Sequence, residues 1–168
     1  MTHLNIYPMH SQLKIKLKNQ KHIEAEMIEA AFNYWFTGNL HIRSPFPFYI
    51  REQLKLESIE RLIDWSNQIS TQVKKKLSDE IIAEKFEEII FKTALKLVLT
   101  EDEKITIHYP FMPRKGDKIK KKNNAEIEVY CIVEGRTYYK KGDESFLKIN
   151  LINTNSGEKW ETEFELPE

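Results

Sequence analysis

Residues 146–166 read FLKINLINTNSGEKWETEFEL, and apolar side chains alternate with polar ones on both sides of a short polar segment. A period of two is typical of strands that bury one face, and residues 153–158 are suited to a turn. The stretch therefore predicts a β-hairpin with strands 146–152 and 159–166. The same alternation predicts its register, because a shift by one residue would place glutamates opposite apolar partners. In this register Leu147 pairs with Phe164, Ile149 with Thr162, Leu151 with Trp160 and Lys148 with Glu163.

The residues before this hairpin also show the period of a strand. Residues 127–133 alternate apolar and polar side chains, and they predict a strand that ends in a turn at Glu134 and Gly135. Tyr138 and Tyr139 are then expected in the returning strand. With the final hairpin, this pattern predicts about five antiparallel strands in the C-terminal part of the chain.

Three further segments are interpreted from alternating side chains or from turn-forming residues. Residues 104–109 alternate and predict that sheet begins directly after residue 103, and Gly116 with Asp117 predicts a turn. At the other end of the chain, residues 13–18 read LKIKLK and predict an N-terminal strand. Its buried face would carry Leu13, Ile15 and Leu17.

Between these strands, apolar residues recur at the spacing of helices. A first helix is expected from Lys21 to a left-handed C-cap at Gly38. Two prolines then predict a loop, because proline interrupts helical hydrogen bonding. The loop leads into a short helix near residues 49–54.

Two more helices are expected before residue 100. Ser58 is predicted to cap the first of them, and Ser78 or Asp79 the second. The second helix carries an apolar stripe that runs from Ile82 to Val98. The apolar residues that the first helix is expected to bury are Ile59, Leu62, Ile63, Ile69 and Val73.

Helices followed by strands indicate the α+β class: an N-terminal strand, three to four helices, and a C-terminal antiparallel sheet or small barrel. The region after Pro110 has the length and strand spacing of an SH3-like or OB-like barrel, a likeness of fold that carries no function by itself. We expect a mainly helical part at residues 1–103 and a β part at residues 104–168. One compact unit that contains both parts is the alternative.

The composition is that of a protein with a packed core. The chain has 168 residues, of which 40% are hydrophobic, and its 26 basic residues balance 26 acidic ones. Cys131 is the single cysteine, which excludes an intramolecular disulfide and a zinc site built from several thiolates. There is neither a signal peptide nor an apolar run of about 18 residues, so we expect a cytoplasmic protein that does not enter a membrane.

No motif of catalysis or cofactor binding is found in the sequence. The five glycines are scattered, which excludes the glycine-rich phosphate loops, and there is no HExxH or GxSxG motif. His22 and Glu26 have helical spacing but fit a solvated pair better than a metal site. We therefore expect no cofactor, metal or catalytic residue. The alternative is an enzyme of an unfamiliar family, in which a pocket brings together His108, Cys131 or the stripe formed by Glu161, Glu163 and Glu165.

The leading hypothesis for function is a non-enzymatic interaction or adaptor module. An aromatic cluster surrounds the proline-containing loop, and exposed aromatic residues with arginine commonly anchor protein interfaces. The partner would be another protein or a second copy of the chain, as in a homodimer. The candidate residues are Trp35, Phe36, Arg43, Phe46, Phe48 and Tyr49.

Nucleic-acid binding is the alternative hypothesis. Residues 114–122 read RKGDKIKKK, with six basic residues and one acidic residue. Lysines and arginine at the edge of a small barrel would contact phosphates, and tyrosines would stack on bases. The candidate residues are Arg114, Lys115, Lys118, Lys120, Lys122, Tyr138 and Tyr139.

Overall fold

The computed structural model describes residues 15–20, 23–37, 43–122 and 127–167, and its fold is of the α+β class. The chain divides into two compact units, Met1–Pro110 and Phe111–Glu168. We call the first the helical unit and the second the sheet unit. The division into a helical part at residues 1–103 and a β part at residues 104–168 stays a prediction.

Besides a helical turn at residues 15–18, the described residues of the helical unit form five α-helices, and a 3₁₀ turn leads into the second. None of the described helices is long and apolar enough to cross a bilayer. Ser78 caps α4 as the sequence predicts, because its side chain accepts a hydrogen bond from the backbone N–H of Ile81. The elements are α1 (Ala25–Phe36), the 3₁₀ turn (Phe48–Ile50), α2 (Arg51–Gln68), α3 (Thr71–Lys74), α4 (Asp79–Leu97) and α5 (Glu101–His108).

The core of the helical unit is formed mainly by α1, α2 and α4. Phe32 of α1 meets Phe86 of α4 edge to face, with ring centroids 5.3 Å apart. Leu54, Leu62 and Ile90 are fully buried beside them. Each such side chain contributes about 1.5–3 kcal/mol by leaving water, and this burial positions the ends of α2 and α4.

The helix that contains Ser58 differs from the prediction. Ser58 is a buried residue in the middle of α2 and does not cap a helix. No proline or glycine separates residue 50 from Gln68, so the two predicted helices form one. Ile59, Leu62 and Ile63 are buried as predicted, but α2 ends before Ile69, which is half-buried, and Val73 is exposed in α3.

The predicted N-terminal strand is not confirmed, because residues 15–18 form a helical turn. The four strands of the sheet all follow residue 117, and the helical turn satisfies its own backbone, as in the bond from Gln20 N to Leu17 O at 2.9 Å. Ile15 is exposed and Leu17 packs against the core. Leu13, Lys14 and the predicted cap at Gly38 lie outside the described residues.

The strand predicted at residues 104–109 is wrong, since Glu101–His108 is the helix α5. Thr100 and Glu103 form a capping box: the Thr100 hydroxyl accepts from Glu103 N at 3.2 Å, and the Glu103 carboxylate accepts from Thr100 N at 2.9 Å. These reciprocal bonds satisfy backbone donors that a helix start otherwise leaves unpaired. These bonds favour a helix, although the apolar and polar side chains of residues 104–109 alternate weakly as in a strand.

The sheet unit is a four-stranded antiparallel sheet in the order β1-β2-β3-β4, curled into a half-barrel. The turn predicted at Gly116 is confirmed, with a φ of 88°. The ammonium of Lys121 on β1 lies 4.8 Å from the ring centroid of Trp160 on β4, so the curl brings these two side chains together. The strands are β1 (Lys118–Lys122), β2 (Glu128–Lys141), β3 (Glu144–Asn153) and β4 (Lys159–Leu166).

The final hairpin has the predicted register. Leu147 pairs with Phe164 and Lys148 with Glu163, and the other predicted pairs also form. Leu147, Ile149 and Leu151 are buried. The face that carries them is called the buried face of the sheet, and the face that carries Lys148 is called the exposed face.

The strand predicted to end at Glu134 and Gly135 instead continues to Lys141. A β-bulge between Val133 and Gly135 absorbs the extra residue, so that Tyr138 and Tyr139 lie in the same strand β2 and not in the returning one. The chain reverses at Gly142, whose φ of 66° suits a residue without a Cβ.

Candidate functional site

Three exposed apolar side chains lie where α2 begins and where α4 ends. Phe48 exposes 83% of its surface, Leu99 exposes 82% and Tyr49 exposes 54%. Single exposed apolar side chains are common on protein surfaces, but clusters of them commonly mark interaction sites. We call these three residues the apolar patch.

The structure separates the predicted partner-binding residues into two groups. Trp35 and Phe46 are only 7% and 2% exposed, and their rings pack against Phe91 in the core. Phe36 is half-buried. The remaining candidates, Arg43, Phe48 and Tyr49, reach solvent.

A hydrogen-bond network fixes Tyr49 to the end of α4. The Tyr49 hydroxyl lies 3.0 Å from each carboxylate oxygen of Glu103 and donates to this carboxylate. The backbone N–H of Leu99 lies 3.3 Å from the Tyr49 hydroxyl oxygen and 3.0 Å from Glu103 Oε2. Desolvation and the Glu103 carboxylate raise the pKa of Tyr49, so the phenol keeps the proton that it donates.

Arg51 supports the Phe48 side of the patch. Its guanidinium carbon lies 5.2 Å from the ring centroid of Phe48 and 5.5 Å from that of Phe36. The guanidinium also donates to two backbone carbonyls, Phe36 O at 2.9 Å and Phe46 O at 3.1 Å. These bonds hold the cation in place, and the exposed ring of Phe48 rests beside a fixed group.

Carboxylates outnumber cations around the apolar patch. Glu52 is exposed in the first turn of α2, and Glu101, Asp102 and Glu103 form the first turn of α5. Two cations, Lys104 paired with Glu101 at 2.6 Å and Arg51 beside Phe48, offset only part of this charge. The patch is therefore apolar with a largely acidic border.

Three of the predicted nucleic-acid residues come together on β1. Lys118, Lys120 and Lys122 are exposed at alternate positions of the strand and so share the exposed face of the sheet. The ammonium of Lys120 lies 5.5 Å from the ring centroid of Tyr130, which is opposite it on β2. Glu128 also pairs with Lys120, at 3.3 Å.

The other predicted nucleic-acid residues lie elsewhere in the sheet unit. Arg114 and Lys115 precede β1, and Arg114 is half-buried. Tyr138 pairs with Leu147 and so lies on the buried face. Tyr139 lies on the exposed face near the far end of β2, where its hydroxyl donates to Glu163, and this bond raises the pKa of the tyrosine. The two tyrosines thus do not form a platform beside the lysines.

The residues proposed for an enzyme do not converge within the sheet unit. Cys131 is completely buried on one face, and the side chains of Glu161, Glu163 and Glu165 lie on the other. His108 belongs to the helical unit, where it is exposed at the end of α5. Over the part of the chain that the structure describes, no three histidine, cysteine or acidic side chains group as metal ligands would.

Sequence reasoning missed Leu99 and Glu103. The spacing of Thr100 and Glu103 is the signal of a capping box and could have identified the start of α5. The bonds of Glu103 to Tyr49 join residues far apart in the chain, so no local pattern announces them.

Comparison with known proteins found no matching family model, no similar curated protein and no similar solved structure.

Proposed function

We propose that this chain is a non-enzymatic interaction module that binds a protein partner through the apolar patch. The observation that carries the proposal is the fixation of an exposed apolar surface by the bonds of Tyr49, Leu99 and Glu103. A side chain that is already ordered loses less conformational entropy when it binds. The patch is therefore suited to association.

The contribution of the apolar patch to binding affinity can be estimated from the side-chain surface that a partner would bury. A phenylalanine or leucine side chain that passes from water into an interface contributes about 1.5–3 kcal/mol. Phe48 and Leu99 are each more than four-fifths exposed, so most of this energy is still to be gained. Two such anchors account for an affinity change of several tenfold steps.

The acidic border selects the chemistry of the partner. Glu52, Glu101 and Asp102 would repel an acidic surface and attract a basic one. The proposed partner is therefore a protein segment with apolar anchors flanked by lysine or arginine.

The test uses synthetic helical peptides with leucine and phenylalanine anchors, flanked either by lysine or by glutamate. We expect the lysine-flanked peptides to bind, and Phe48→Ser or Leu99→Ser to weaken them at least tenfold. Ile81→Ser is the matched control, since Ile81 is exposed on α4 outside the patch. Equal binding by all variants, or preference for the glutamate-flanked peptides, would contradict the proposal. Trp35 is unsuitable for this test because it is buried in the core.

Light scattering on a sizing column separates this partner from a second copy of the chain. A monomer mass for the unliganded protein is expected. A dimer mass that Leu99→Ser converts to a monomer mass would instead assign the patch to a homodimer interface.

The alignment of Lys118, Lys120 and Lys122 favours single-stranded nucleic acid as a second candidate ligand. Losing three phosphate contacts would reduce the slope of log affinity against log salt by about 2. Replacing the three lysines by glutamine should therefore flatten the salt dependence of oligonucleotide binding. The control replaces Lys140 and Lys141, which are exposed at the far end of β2. An unchanged slope would reject this interface.

Two finer statements belong to the same proposal. A likeness of the curled sheet to an SH3-like or OB-like barrel would suit ligand binding on its strands, since such barrels present exposed strand faces. A cytoplasmic location is supported by the single thiol of Cys131, which is buried and forms no disulfide.

A further inference from the structure

A groove of about 570 Å³ lies on the helical unit between α2 and α4. This volume is in the range of sites that take small organic ligands. Trp65, Ile89 and Leu95 give the groove an apolar surface, and charged side chains surround them. The charged lining residues are Arg61, Asp64, Lys85, Glu88, Lys92 and Lys96.

The groove is lined by the repeating face of each helix. Trp65 follows Arg61 by four residues on α2, and Lys92 and Lys96 are separated by four residues on α4. Residues at this spacing share one side of a helix. The groove is therefore a fixed feature of the helix pair and does not depend on a loop.

The charge around the groove is basic. Glu88 accepts hydrogen bonds from Lys85 and Lys92, which lower its pKa to about 2, so this carboxylate is ionised and offsets one of the two lysines. Asp64 is the second carboxylate of the lining, so four cations face two carboxylates, and one of the cations, Arg61, also pairs with Glu57 at 3.6 Å. Lys96 forms no hydrogen bond or ion pair with any residue in the described ranges and is available to an anion.

Besides the basic charge, Thr93 is a second indication that the groove binds a ligand. It lines the groove and is completely buried, yet its Oγ1 has no hydrogen-bond partner among the described residues. A buried hydroxyl without a partner costs about 1–3 kcal/mol. Thr93 precedes Lys96 by three residues, and side chains at this spacing are neighbours on a helix surface. An orphan donor and a cation without a partner thus lie side by side.

We propose that the α2–α4 groove binds a small organic anion, a carboxylate or sulfonate on an aromatic or aliphatic body. The Thr93 hydroxyl donates a hydrogen bond to the anionic head, and the Lys96 ammonium pairs with its charge. The apolar body lies along Trp65, Ile89 and Leu95. Because Thr93 has no exposed surface, the head reaches its hydroxyl only when a lining side chain such as Trp65 rotates. Binding should therefore change the fluorescence of Trp65.

The experiment measures binding of two probes, dodecanoate and 8-anilino-1-naphthalenesulfonate, by calorimetry and fluorescence. We expect one saturable site per chain. Thr93→Val keeps the shape of the side chain but removes the hydroxyl, and it should weaken both probes about fivefold while raising the urea midpoint of unfolding. Lys96→Gln should also weaken both probes. Lys75→Gln is the matched control, because Lys75 is exposed beyond α3 and does not line the groove.

The change of affinity, and not the change of stability, distinguishes a ligand contact from a buried hydroxyl that has no role in binding. If the Thr93 hydroxyl were only a buried group without a partner, its replacement by valine would raise the urea midpoint and leave affinity unchanged. That result would overturn the proposal, as would wild-type affinity of Lys96→Gln. Failure of both probes to saturate the wild-type chain would also overturn it, as would binding of many probe molecules per chain.

Discussion

Replacing Glu103 by alanine tests whether one carboxylate holds both the start of α5 and the apolar patch. Its Oε2 accepts hydrogen bonds from Leu99 N at 3.0 Å and from Thr100 N at 2.9 Å. The same carboxylate accepts the Tyr49 hydroxyl at 3.0 Å. The Thr100 hydroxyl also donates to Oε2 at 3.0 Å, so the alanine variant would lose four contacts at once.

The expected loss of stability is about 1.5 kcal/mol. The Glu103 carboxylate accepts from two backbone donors next to the helix start, Leu99 N and Thr100 N, and the loss of a capping side chain costs about 0.5–2 kcal/mol. Thr100→Ala should cost about 1 kcal/mol for its own half of the box. The double variant should lose less than the sum of the two, because both residues belong to one network.

The pH dependence of folding stability is an independent test of the role of Glu103. Burial raises the pKa of Glu103, but hydrogen bonds from Thr100, Leu99 and Tyr49 outweigh it and leave the pKa below its usual value of 4.5. A carboxyl whose pKa is lower in the folded state stabilises the fold above the unfolded pKa, and this contribution disappears as pH falls through the folded value. The stability difference between wild type and Glu103→Gln should therefore shrink below pH 4.5.

The assay is urea unfolding, followed by circular dichroism at neutral and acidic pH, together with binding of the lysine-flanked peptides. Glu103→Ala should weaken peptide binding although Phe48 and Leu99 are unchanged, because Tyr49 is released. The reasoning would be refuted if the variant unfolded within about 0.3 kcal/mol of wild type and bound the peptides equally.

Three further predictions concern stability and are measured by urea unfolding. Ser58→Ala should stabilise the protein by about 1 kcal/mol, because the buried Ser58 hydroxyl has no partner among the described residues; a loss of stability would show that the hydroxyl is bonded. Leu147→Ala should cost about 3 kcal/mol, since Leu147 is fully buried in β3, and a cost below 1 kcal/mol would contradict this packing. Gly142→Ala should cost about 1 kcal/mol because the φ of Gly142 is 66°, whereas Gly135→Ala should cost nothing, because Gly135 has no positive φ and no atom lies within 4 Å of the added Cβ. Equal effects of the two substitutions on stability would contradict the turn at Gly142.

The final hairpin could be predicted in detail because its alternation leaves one acceptable register. Leu147, Ile149 and Leu151 need one face, and a shift by one residue would move all of them to water. The strand before it shows the limit of this reasoning. The bulge after Val133 inverts the alternation, so that Arg136 and Tyr138 take the side that Cys131 and Val133 occupy.

Two predicted strands are not found among the described residues because a short alternation of apolar and polar side chains also occurs in helical segments. Residues 104–109 alternate, but the capping box of Thr100 and Glu103 decides for helix. Residues 15–18 alternate as well, yet a strand is stable only beside another strand, and within the described residues all four strands of the sheet come from the C-terminal third of the chain. Local alternation does not show whether a partner strand exists.

The candidate site was predictable only in part. The sequence identified an aromatic cluster but did not separate its buried member Trp35 from its exposed member Phe48. Exposure of Phe48 and Tyr49 depends on the direction in which the 3₁₀ turn enters α2. Leu99 joins them only through tertiary hydrogen bonds. The groove beside Thr93 also depends on how two helices pack, which periodicity does not specify.

The charges on the exposed face of the sheet decide how far the lysines of β1 can act alone. Lys118, Lys120 and Lys122 line one edge strand, and Glu161, Glu163 and Glu165 line the other. Glu128 lies 3.3 Å from Lys120 on this face and offsets that lysine directly. Each row of like charges also opposes pairing with the same edge of another copy, so the lysines have a role in solubility without any ligand. Only a salt slope that falls when these lysines are replaced would show a nucleic-acid interface beyond that role.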